Sequence, residues 1–193
     1  MGIFCGPDNP GCIFQATYYL WLPYDTVRKP HLMIEQVQLT ITYEVVSSPE
    51  ELTPQERHIL QLAQQATDNA YAPYSNFLVG AALLLSDGST HQGTNQENAA
   101  YPSGLCAERT LLFGVGSNYP KQKIEILAVT ARRRHEDYFV PACPCGSCRQ
   151  VMAEYEHRQN SPFKLLMQSH DGKVVRFQSA GDLLPFTFTK ENL

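Results

Sequence analysis

Two stretches decide how this chain reads: "YPSGLCAERT", Tyr101–Thr110, and "ACPCGSCRQ", Ala142–Gln150. The first puts Cys106 two residues before Glu108, where a helix is predicted to begin. The second brings Cys143, Cys145 and Cys148 about forty residues later. Cys145 and Cys148 flank a glycine turn, and their spacing lets both sulfurs reach one ion. Both groups fall at predicted helix N-termini, where unpaired amides and the helix dipole favour a thiolate. Three thiolates, from Cys106, Cys145 and Cys148, leave one tetrahedral position open. Structural zinc sites are closed by four protein ligands, whereas catalytic ones keep a place for water, whose pKa the ion lowers to about 7. Glu108, in the first turn of the same helix, is placed to move a proton without ligating, as a general acid/base.

Blander readings exist for each piece. A lone cysteine before a helix is commonly a small buried apolar residue. A redox C-x-x-C pair accounts for Cys145 and Cys148 but leaves Cys106 and Glu108 unused, and no thioredoxin-like pattern surrounds it. Cys143 as a fourth ligand would close the site. Pro144 fixes the backbone between Cys143 and Cys145, and neighbours in an extended segment point to opposite sides, so Cys143 is expected outside the ligand set.

The chain has 193 residues, enough for one domain with a sizeable core. A net charge of −4 argues against a nucleic-acid partner. Arg132, Arg133 and Arg134 are followed by Glu136 and Asp137 and read as a solvated loop. Four of the six cysteines lie in two tight places and the other two near the N-terminus, unlike a disulfide framework, which points to a metal or redox site in a reducing compartment, expected to be the cytoplasm. Residues 1–32 make a poor signal peptide, and their longest apolar run is too short to span a bilayer. They are expected to be a disordered extension or a mis-assigned start. Met33 is then the biological start of a single domain over residues 33–193.

Val37, Leu39, Ile41, Tyr43 and Val45 alternate with polar residues, which predicts a half-buried strand over 37–45. Thr53-Pro54-Gln55-Glu56 is a capping box with proline at the first helical position, opening a helix that runs to about Tyr71. "FLVGAALLL", Phe77–Leu85, reads as a buried strand that returns through "THQGTN" as a hairpin. A helix follows from about Cys106 to Val115, a strand over Ile124–Ala131, and a helix from Cys145 or Gly146 through Glu156. "FKLLMQ" and "KVVRFQ" close the chain as strands. This order implies an α/β sandwich around one mixed sheet.

"NQENAAYPSGLCAERT" with "PCGSCRQV" closely resembles the cytidine deaminase family, in its small homotetrameric branch with three cysteine ligands. "YAPYSNFLVGAALL" is similar to the family's first core segment and "LLPFTF" to its C-terminal tail, so the resemblance spans roughly residues 53–188. It implies a three-layer α/β/α sandwich with a mixed sheet of about five strands. It implies one Zn2+ per subunit on Cys106, Cys145 and Cys148, with Glu108 as the proton shuttle. It places the Ala107 backbone against the pyrimidine, Phe77 beside the nucleoside, and Asn95 and Glu97 on the ribose hydroxyls. Phe188 would reach the base from a neighbouring subunit, and Arg109 would offset the charge of the third thiolate. Without the resemblance, Phe77 reads as core, Asn95 and Glu97 as a polar turn, and Arg109 as helix surface.

The chain departs from the family pattern in its N-terminal extension, the strand at 37–45, the longer loop "RRRHEDYFVPA", and Cys143 in place of serine or threonine. The implied activity is hydrolytic deamination of cytidine and deoxycytidine, in pyrimidine salvage, by a homotetramer that needs neither nucleic acid nor membrane. Deamination of another cytosine nucleoside, such as an aminoacyl nucleoside antibiotic, is open to the same zinc site. A non-catalytic zinc-stabilised domain would need no Glu108, and a polynucleotide deaminase is disfavoured by the charge.

Overall fold

The strand β2, Phe77–Leu85, is the spine of the sheet: it pairs antiparallel with β3, Thr90–Thr94, on one side and with β4, Ile124–Arg133, on the other. The computed structural model describes residues 35–193. The extension expected at 1–32 and the start expected at Met33 lie outside the described residues. Thr40–Leu193 form one compact unit, which holds every element below. Residues 35–39 lie outside that unit and carry no regular secondary structure.

Beyond β4 the sheet continues with β5, Lys164–Gln168, which is parallel to it. Next come β6, Val174–Phe177, and β1, Glu44–Val46, both antiparallel to their neighbours. The order is β1-β6-β5-β4-β2-β3, a mixed sheet of six strands where about five were expected. The helix α1, Pro54–Ala66, covers one face, and α2, Ala107–Asn118, and α3, Gly146–Gln159, cover the other. The expected three layers are therefore present. β4 shows why its sequence is continuously apolar: Ile126 and Ala128 pack toward α1, while Leu127, Val129 and Ala131 pack toward α2 and α3.

The strand expected over 37–45 is corrected by the structure. Only Glu44–Val46 is a strand, and Val37, Leu39, Ile41, Tyr43 and Val45 are all exposed, while Val46 is buried. A period of two identifies alternation but not which parity faces inward; register decides that. Here Glu44 lies opposite Arg176, and Val46 lies opposite the buried Val174. Arg176 Nε donates to Glu44 Oε2 at 2.7 Å and Gln178 Nε2 donates to the same oxygen at 3.1 Å, which pins the strand at this register.

The capping box of α1 forms as expected: Glu56 N–H donates to Thr53 Oγ1 at 3.3 Å, and Thr53 N–H donates to Glu56 Oε2 at 3.0 Å. α1 stops at Ala66 in a short 3-10 turn, Thr67–Asn69, earlier than the expected Tyr71. α2 and α3 each run about a turn further than expected, and α3 ends on Asn160 at φ 51°, a left-handed cap that asparagine tolerates. α1 lies directly on β2 at Gly80, where a β-carbon would stand 2.1 Å from the Ala63 carbonyl oxygen. Glycine in mid-strand is the mark of such an approach. Among the described residues, no helix is long and apolar enough to cross a membrane.

Candidate active site

α2 and α3 begin side by side on the same face of the sheet, and each begins at a cysteine. Cys106 is the N-cap of α2 and Cys145 that of α3, both with extended backbone and neither with its side chain capping a backbone N–H of its own helix. Their sulfurs are thus free to turn toward each other. Cys106 Sγ lies 3.8 Å from Cys145 Sγ, and Cys145 Sγ lies 3.4 Å from Cys148 Sγ, which is one turn into α3 and fully buried. All three sulfurs fall within 4.8 Å of one another. Three sulfurs bound tetrahedrally at about 2.3 Å from one zinc ion stand about 3.8 Å apart, so the cluster fits that ion. Cys143 is exposed and outside the cluster. Arg149 Nε donates to the Pro144 carbonyl at 2.9 Å and fixes the loop that presents Cys145.

The electrostatics of the cluster call for a cation. The Cys106 thiol is held well below its ordinary value, first by hydrogen bonding with Cys148 and then by Arg109, whose Nη2 stands 3.8 Å from Cys106 Sγ. The Cys148 thiol is pushed up, above all by its bond to Cys106. A negative charge on Cys106 opposes one on Cys148, and a bound cation would relieve that opposition. Glu108 lies beside them, 3% exposed. Burial pushes its carboxyl above the ordinary range, and the charge of Cys106 adds to that.

The cluster opens into a cavity of about 770 Å³. Phe77 and Val79 from β2 and Val129 from β4 form apolar walls, and Asn95 and Glu97 stand on the loop after β3. Asn95 Oδ1 accepts from Val79 N–H at 2.9 Å and its Nδ2 donates to the Phe77 carbonyl at 2.9 Å. The amide is thereby locked onto β2, with one lone pair and one N–H still to give. Glu97 Oε2 accepts from the N–H of Tyr74 at 2.9 Å and of Ser75 at 3.3 Å.

The structure brings Phe77, Asn95, Glu97, Cys106, Glu108, Arg109 and Cys145 to one cavity. Cys148 sits behind it in the core, and Ala107 is wholly buried at the first position of α2. Phe188 is apart: it is 57% exposed, and its backbone is tied to α3 through the side chain of Gln150. Ser75 and Tyr101 also line the cavity and had no role in the sequence reading. Both lie in segments quoted above for other residues, but nothing in their own spacing marks them.

A family model described as the cytidine and deoxycytidylate deaminase zinc-binding region matches residues 53–161. This chain belongs to that deaminase family. Cytidine deaminase of Halalkalibacterium halodurans is 40% identical over 135 residues, covering 70% of this chain and 95% of that protein. The crystal structure of cytidine deaminase from Burkholderia pseudomallei superposes with a TM-score of 0.57 at 38% identity, over 71% of this chain and 100% of that one. That from Mycobacterium tuberculosis gives 0.53 at 34% identity, over 68% of this chain and 95% of the other. The fold and the deaminase zinc-binding region agree with the three-thiol cluster, and zinc is the ion that the family and the donor set both indicate. β1 lies ahead of the matched region, and β5 and β6 lie beyond its end.

Proposed function

We propose that this chain deaminates cytidine and deoxycytidine by hydrolysis, giving uridine and deoxyuridine with release of ammonia. The observation that carries the reading is the buried Glu108 beside three converging sulfurs at one end of a nucleoside-sized cavity, with Asn95 and Glu97 on its polar side. Cys106, Cys145 and Cys148 are the zinc ligands. Zinc, when bound, acidifies a water and so supplies the nucleophile for C4 of the pyrimidine, as in zinc deaminases generally.

The chain's own residues do the rest. Glu108 takes one proton from the attacking water and delivers it to N3. It then takes the second proton from the oxygen now on C4 and gives it to the amine, which leaves as ammonia while the C4 carbonyl forms. Its burial serves this cycle, because raising the carboxyl above its ordinary range makes it a stronger base toward the water. Arg109 offsets the negative charge of the third thiolate. Phe77 packs on the nucleoside, and the backbone of Ala107 meets the base. Asn95 and Glu97 hold the sugar hydroxyls, each pre-oriented by the hydrogen bonds described above.

The cavity's outer side is where a neighbouring copy enters. Phe188, exposed on a tail that Gln150 holds to α3, covers the base of an adjacent subunit in a homotetramer. The enzyme works on free nucleosides in the cytoplasm, within pyrimidine salvage. Loss of ultraviolet absorbance from cytidine, deoxycytidine and single-stranded DNA, run side by side, tests the reading. Turnover of the two nucleosides but not the polymer is expected, and turnover of none with zinc present would favour a non-catalytic domain.

A further inference from the structure

The longer loop after β4 makes contacts that its sequence did not announce. Arg134 binds both ends of the turn Ala72–Asn76. Its backbone N–H donates to the Asn76 carbonyl at 2.9 Å and its Nε to Asn76 Oδ1 at 3.0 Å. Its Nη2 donates to the Ala72 carbonyl at 3.2 Å. Asn76 adopts φ 53°, a left-handed conformation that its own N–H bond to the Ala72 carbonyl helps to close. The turn held in this way contains Tyr74 and Ser75, whose backbone N–H groups both donate to Glu97 Oε2. Ser75 Oγ also accepts from the N–H of Phe77, the aromatic wall of the cavity.

We infer that Arg134 is a positioning residue for sugar recognition: it braces the Ala72–Asn76 turn, and the turn fixes the carboxylate of Glu97. The inference rests on the reading of Glu97 as a contact to the sugar hydroxyls. Electrostatics agree with the geometry. Burial raises the Glu97 carboxyl, but the bonds from Ser75 and Tyr74 and then the charge of Arg134 bring it below its ordinary value, so it stays an acceptor. Two fixed N–H donors from one planar guanidinium hold a turn more firmly than a lysine would.

Steady-state kinetics on cytidine and on 2′,3′-dideoxycytidine, which lacks both hydroxyls, test this. Arg134→Ala should raise KM for cytidine about tenfold and leave kcat within about twofold, the scale of a lost charged hydrogen bond. Its kinetics on the dideoxy substrate should match the parent protein, which also shows that it folds. Glu97→Gln should weaken the preference for cytidine, and adding Arg134→Ala to it should cost little more, because the two act on one contact. Equal losses on both substrates, or full additivity with Glu97→Gln, would overturn the role of Arg134 while leaving the sugar reading intact. An unchanged cytidine preference in Glu97→Gln would instead remove the sugar reading, and the inference with it.

Discussion

Cys106 Sγ stands 3.8 Å from Cys145 Sγ although 39 residues separate them in the chain. That convergence, with Cys148 beside it and Cys143 outside, defines a ligand set that metal analysis can check. The purified protein should hold one zinc per chain. Cys143→Ser should keep it, and Cys106→Ser or Cys145→Ser should lose most of it. Zinc retained in Cys106→Ser but lost in Cys143→Ser would mean that the ligand set is wrong.

Glu108 is buried against the cluster without belonging to it. Glu108→Gln keeps the shape and removes the exchangeable proton. Zinc content should be unchanged, while turnover falls by about 10²–10⁴-fold, the range for a lost acid/base group. Near-normal turnover in a zinc-loaded variant would take Glu108 out of the mechanism.

Glu56 has no exposed side-chain surface and is held by Lys164 Nζ and Arg176 Nη1, each at 3.0 Å. Burial raises its carboxyl, but the bonds from Lys164 and Thr53 outweigh this and set it below the ordinary 4.5. A depressed carboxyl stabilises the fold above its unfolded pKa and loses that contribution as the pH falls through the folded value. Glu56→Gln should therefore cost about 1.5–3 kcal/mol at neutral pH, the scale of hydrogen bonds to charged groups. The difference from the parent should shrink below about pH 4. Urea midpoints at several pH values would show it, and a pH-independent gap would contradict the assignment.

The role proposed for Phe188 requires a neighbouring copy of the chain. Light scattering should give about four times the chain mass of 21.7 kDa. Phe188→Ala should raise KM for cytidine several-fold without changing that mass. A fully active monomer would exclude a pocket shared between subunits and remove Phe188 from the site.

Several features were legible in the sequence because they are local. The Thr53–Glu56 capping box, the unbroken apolar runs of β2 and β4, and the C-x-x-C spacing at the start of α3 each involve residues within a turn or a strand of one another. Backbone geometry alone then determines what they can do. Cys106 beside Glu108 belongs to the same class, and the two cysteine motifs together carried the family resemblance.

The rest was decided by contacts between distant segments. α2 and α3 start at the same edge of the cavity because both pack on one face of the same sheet, and only that packing makes three sulfurs a site. The alternation before β1 could not reveal its inward parity, which register against β6 determines. Glu56 reads as a helix cap, yet burial against Lys164 and Arg176, more than a hundred residues away, makes it an ionic centre. Arg134 reads as one of three solvated arginines, yet it reaches back to Ala72 and Asn76. A side chain's partner across the fold depends on how whole elements are packed, and neighbouring residues hold no record of that packing.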